Sequence, residues 1–140
     1  MLKVIRPFFV EYVPAKLDEE VLYISRKYKV AVHLCCCGCG EKVVTPLSPA
    51  EWSIHGDEKM VSLHPSVGNW SMACRSHYCI KNNKVVVARE FESWEIERVR
   101  AHDARDLERQ IHVRNSQLSF FATFKAVWRR LVSVVWKIRK

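Results

Sequence analysis

From Arg109 to its last residue the chain carries no Asp or Glu, against eight Lys or Arg. The net charge of +8 therefore belongs to that segment, because residues 1–108 hold 15 basic and 15 acidic residues and are formally neutral. A neutral body speaks against a nucleic-acid-binding surface in the main domain. Glycine and proline are scarce, at four and five of 140 residues, which excludes low complexity and disorder as the main state. No internal repeat, P-loop, dinucleotide fingerprint or zincin helix motif occurs. The N-terminal MLKVIRPFFVEYVP has too short an apolar stretch, and no small-residue cleavage site, for a secretory signal. A cytoplasmic location is expected, where clustered cysteines point to metal or redox chemistry.

What is present is apolar and patterned. Hydrophobic residues make up 49%, including five Trp, six Phe and four Tyr, enough for one packed domain. Residues 2–13 suit a strand. Val21–Leu34 reads as a hairpin turning at 26–29, and Val43 and Val44 open a further strand. Trp52–Ile54 and Met60–Leu63 flank the turn residues 55–58, and Asn82-Asn83 separates two apolar runs in 78–88. Ser93 is placed as an N-cap, with Glu95 and Glu97 at the positive end of a polar helix over 93–114. Asn115-Ser116 interrupts it, and 115–140 forms a basic amphipathic tail whose helix covers about 118–138. Phe120, Phe121, Phe124, Val127, Trp128, Leu131, Val132, Val134, Val135 and Ile138 share one apolar arc of that helix. Lys125, Arg129 and Arg130 exclude a simple membrane span. Packing on its own domain or on a second copy, or a peripheral membrane contact, is expected of 118–138 instead. The expected class is α+β: a small β-rich zinc-binding domain over 1–92, with hairpins around a zinc knuckle, followed by C-terminal helices.

The chemistry concentrates in two clusters. The first is His33-Leu34-Cys35-Cys36-Cys37-Gly38-Cys39-Gly40, and the second is Cys74-Arg75-Ser76-His77. Adjacent cysteines pair badly as disulfides, whereas two short clusters brought together suit tetrahedral zinc. Gly38 and Gly40 allow the tight turns that aim successive sulfurs at one ion. Cys37, Cys39, Cys74 and His77 form the first ligand set. Cys35 is the alternative to His77, which would leave the histidine free for chemistry, and His33 is a weaker fifth candidate. Cys36 and Cys79 read as core thiols. A three-ligand zinc would leave a water position with Glu41 as base, although cysteine-rich sites are more often closed.

Between the clusters runs Ser62-Leu63-His64-Pro65-Ser66-Val67-Gly68-Asn69-Trp70. It reads as a loop over 65–69. Ser66 is a candidate catalytic nucleophile with His33 or His77 as base, and Asn69 a candidate oxyanion donor. The residues alone favour a structural turn, with Ser66 capping and Trp70 packing. Ser76 and His77 cannot form a dyad in an extended strand, because neighbouring side chains face opposite ways.

The run HLCCCGCGEKVVTPLSPAEW, then SLHPSVGNW, then CRSHYCI leading into VVVARE, resembles a bacterial domain family found beside ubiquitin-like conjugation genes. Its pattern combines a His-x-Cys-x-Cys-Gly-Cys-Gly knuckle, a Pro-Ser-x-Gly-Asn-Trp loop and a Cys-x-Ser-His-Tyr segment, and covers roughly residues 20–100. The resemblance implies partners among a ubiquitin-like protein and its activating and conjugating enzymes, and a peptidase that processes or removes that protein. It places Cys35, Cys37, Cys39, Cys74 and His77 at metal-type positions and Ser66 and Asn69 in the family's loop. Cys36 departs from the proline common in that pattern.

Overall fold

The computed structural model describes residues 2–138, with side chains described for 2–118 and Lys125. The chain divides into two compact units, Met1–Asp103 and Ala104–Lys140. The first holds two four-stranded sheets. One runs β1 (Arg6–Phe9), β2 (Val21–Ser25), β3 (Val30–Leu34), β4 (Lys42–Pro46), in that spatial order. β1 pairs parallel with β2, and the other pairs are antiparallel. The second runs β5 (Ser53–Gly56), β6 (Val61–Gly68), β7 (His77–Lys81), β8 (Lys84–Val87), antiparallel throughout. The class is α+β, as composition and patterning indicate.

The two sheets share one core. Leu22, Ile24, Ala31 and Val43 from the first meet Val61, Leu63, Val67, Tyr78 and Ile80 from the second, with Ile5, Cys35 and Cys36 in the same cluster. β2 is buried on both faces, because Tyr23 packs with Leu17 and Val32 on its far side. That explains why its sequence is a continuous apolar run rather than an alternating one. The chain before β1 stitches the sheets together: Ile5 N–H donates to Asn83 O at 2.8 Å and Val85 N–H to Lys3 O at 2.9 Å.

Two local expectations are corrected. Residues 65–68, read as a loop, belong to β6, whose pairing with β7 shifts register between Leu63 and Val67. Proline is tolerated in a strand at such an irregularity, and a bulge re-aims the side chain it carries. β5 pairs only as far as His64, so Pro65–Gly68 project beyond it. The second correction concerns the helix. α1 spans Ser93–Ile138 without interruption, passing through the Asn115-Ser116 position. Ser116 Oγ donates to the Val113 carbonyl at 2.8 Å, a bond that accommodates a polar residue inside a helix. Ser93 is the first helical residue and not the cap. Glu92 takes that place: its carbonyl accepts from Ile96 N–H, and its own N–H donates to Glu95 Oε2 at 3.0 Å. Arg89 also pairs with the Glu95 carboxylate, which holds that carboxyl well below its ordinary range, at about 2. The expected apolar arc over 118–138 lies outside the described side chains. Among the described residues no helix is long and apolar enough to cross a membrane.

Candidate active site and metal centre

The β3–β4 connection carries the first cluster. Gly38 and Gly40 take φ of +89° and +79°, the left-handed turns expected of them. Cys35 N–H donates to Glu41 O at 2.8 Å and Gly38 N–H to Cys35 O at 3.0 Å, closing the turn. The β6–β7 connection brings Cys74 to it. The sulfurs of Cys35, Cys37, Cys39 and Cys74 all lie within 4.8 Å of one another. Cys35 Sγ stands 3.4 Å from Cys37 Sγ and 4.0 Å from Cys74 Sγ. Four sulfurs about 2.3 Å from one zinc stand about 3.8 Å apart in a tetrahedron, so the donor set fits such an ion.

The surroundings also suit thiolates. Ser76 Oγ lies 3.1 Å from Cys35 Sγ and 3.5 Å from Cys74 Sγ, and Asn69 Nδ2 donates to Cys35 Sγ at 3.3 Å. The Ser76 hydroxyl and N–H hold the Cys74 thiol down at about 7. Burial pushes the neighbouring Cys36 up to about 11, so that residue is a neutral core thiol. Cys79 is partly exposed on β7 and stands apart from the cluster. Glu41 is exposed, and its contribution here is its backbone carbonyl.

His77 is not with the cysteines. Its Nε2 lies 2.9 Å from Ser66 Oγ and its Nδ1 2.8 Å from the Arg89 carbonyl oxygen. A carbonyl can only accept, so Nδ1 carries the proton and Nε2 is the bare nitrogen that accepts from the Ser66 hydroxyl. Strand geometry produces the meeting. His77 stands opposite Gly68 in the β6–β7 register, and Ser66 lies two residues before Gly68 on the same strand. The imidazole is walled by two rings, with Trp70 at 4.7 Å and Phe91 at 4.6 Å between centroids. These two rings stack on each other at 5.3 Å. His77 is 7% exposed while Ser66 is half-buried, so the base is shielded and the hydroxyl can be reached.

The other candidates fall elsewhere. His33 is fully buried, with Nε2 2.9 Å from the Tyr78 hydroxyl. Burial pushes its imidazole down to about 4, and its hydrogen bond goes to Tyr78 rather than to Ser66 or a cysteine of the cluster. The carboxamide of Asn69 points at Cys35 and Ser76 and not at Ser66, so it supports the cluster in place of an oxyanion. Sequence reasoning missed the Arg89 carbonyl and Phe91. A backbone acceptor leaves no mark in residue identity, and Phe91 lies beyond the last strand, where nothing in its spacing ties it to His77.

Gly68 makes the site possible by close approach. A Cβ there would stand 2.3 Å from the Trp70 indole. Gly68→Ala is expected to push Trp70 off His77 and to lower stability by about 1–3 kcal/mol. Urea unfolding would show a reduced midpoint with an unchanged m-value.

A serine hydroxyl on a shielded imidazole, with the far ring nitrogen held by an acceptor, is the arrangement that serine hydrolases use. The chain belongs to the family described as bacterial ubiquitination-like system serine protease (BubE), whose model matches residues 9–88. The match takes in both sheets except β1's first residues and contains Ser66, His77 and all four clustered cysteines. No curated protein and no solved structure matches the chain.

Proposed function

We propose that the chain is a serine peptidase that cleaves the acyl bond following the C-terminus of a ubiquitin-like protein, either in its precursor or in a conjugate. The observation that carries this reading is the 2.9 Å contact from Ser66 Oγ to His77 Nε2. Ser66 Oγ attacks the scissile carbonyl while Nε2 takes its proton, and the imidazolium then hands that proton to the leaving group. Water, deprotonated by the same nitrogen, releases the acyl group from Ser66. The Arg89 carbonyl holds the tautomer and accepts from Nδ1 throughout. It brings a dipole and no formal charge, so the aromatic rings of Trp70 and Phe91 packed against the imidazole supply additional stabilisation for the imidazolium.

The resident ion in this reading is zinc, bound by Cys35, Cys37, Cys39 and Cys74. Four thiolates close a tetrahedral site. Bound there, zinc supplies a crosslink between the β3–β4 turn and the β6–β7 connection. Every proton is moved by Ser66 and His77.

The purified protein, incubated with a ubiquitin-like protein carrying a C-terminal extension, is expected to release the extension at one bond. If wild type and Ser66→Ala both leave that substrate intact, the reading is wrong.

A further inference from the structure

Ser76 and His77 are consecutive, yet they serve different centres. The Ser76 hydroxyl faces the cysteines and the His77 ring faces Ser66. Asn69 lies three residues beyond Ser66 and is bound to Ser76 twice: its N–H donates to Ser76 O at 2.9 Å, and Nδ2 donates to Ser76 Oγ at 2.9 Å. Ser76 and Asn69 are both buried, at 7% and 6% exposure. Their protons leave no surplus. A metal-bound thiolate has no proton and only accepts. The two Asn69 amide protons go to Cys35 Sγ and Ser76 Oγ, and the single Ser76 hydroxyl proton is left for the thiolates of Cys35, 3.1 Å away, and Cys74, 3.5 Å away. This small network joins the end of β6 to the start of β7, immediately beside the Gly68–His77 pair.

We propose that Ser76 and Asn69 are positioning residues that fix the β6 and β7 ends against the metal-bound thiolates and so hold the His77 imidazole in line with Ser66. The inference rests on the Ser66–His77 reading above and assigns two positioning residues to that same site.

The test uses full-length wild type, Ser76→Ala and Asn69→Ala at saturating zinc. Three quantities are measured on each sample: the zinc-to-protein ratio, the rate at which a fluorophosphonate probe modifies Ser66, and kcat and KM on the extended substrate. Both variants are expected to hold zinc and to react with the probe about ten- to hundredfold more slowly per zinc-loaded molecule. The loss should appear in kcat, with KM unchanged. Zinc-loaded variants that react at the wild-type rate would overturn the proposal. So would a loss carried by KM, and so would variants unable to hold zinc, because the two residues would then build the cluster rather than position His77. The underlying reading fails separately, if the probe does not modify Ser66 in wild type.

Discussion

Ser66→Ala is expected to lower kcat on the extended substrate by about 10⁴-fold or more, with KM and thermal unfolding close to wild type. The hydroxyl is half-buried, and the hydrogen bond to His77 is the one side-chain contact described for it. Losing that bond leaves Nε2 facing a site that water can reach, so the folding cost is small. His77→Ala should bring a comparable loss of kcat. The double variant should be little worse than either single one, because nucleophile and base act as a unit. Steady-state kinetics together with thermal melts separate this outcome from a structural role. Wild-type turnover in Ser66→Ala, or a kcat loss matched by a large fall in Tm, would assign the Ser66–His77 contact to packing.

Chelation of the metal is expected to collapse the fold, by a different route. The cluster ties the β3–β4 turn to a loop 39 positions further along, counting from Cys35 to Cys74. Zinc binding in small structural sites contributes about 10–16 kcal/mol, as much as the whole 5–15 kcal/mol net stability of an ordinary domain. Cys35 and Cys36 are also part of the shared core, so loosening the turn loosens the packing of both sheets. Wild type treated with a strong chelator, and Cys74→Ser without one, should lose at least about 20 °C in Tm. Circular dichroism during stepwise chelation reads this directly. A fold that survives quantitative removal of metal while cleavage stops would move the ion out of a structural role.

Much of this was legible in the residues. Cys37, Cys39 and Cys74 announce themselves by spacing, and the glycines by the turns they permit. The hairpins at 21–34 and 78–88 follow from apolar runs broken by turn residues. The choice between Cys35 and His77 was not legible, because it depends on which way the chain enters β7. Cys74 and Ser76 lie in the β6–β7 connection, with Arg75 at a φ of +44° between them, and turn toward the cluster, whereas His77 opens β7 and turns toward Ser66. The partnership of Ser66 with His77 rather than His33 depends on the β6–β7 register, and a register shift cannot be read from composition. Pro65 concealed the strand that carries Ser66, for proline and serine between two apolar runs look like a loop. The helix was misread for a similar reason: Asn115 and Ser116 disfavour a helix interior, but Ser116 satisfies its hydroxyl within the helix.

Peptide mapping by mass spectrometry after fluorophosphonate treatment tests the Ser66–His77 centre most directly. The expected result is one adduct on Ser66 in the wild-type protein, and strongly reduced modification in His77→Ala. An adduct on another residue, or equal modification of Ser66 with and without the imidazole, would contradict it.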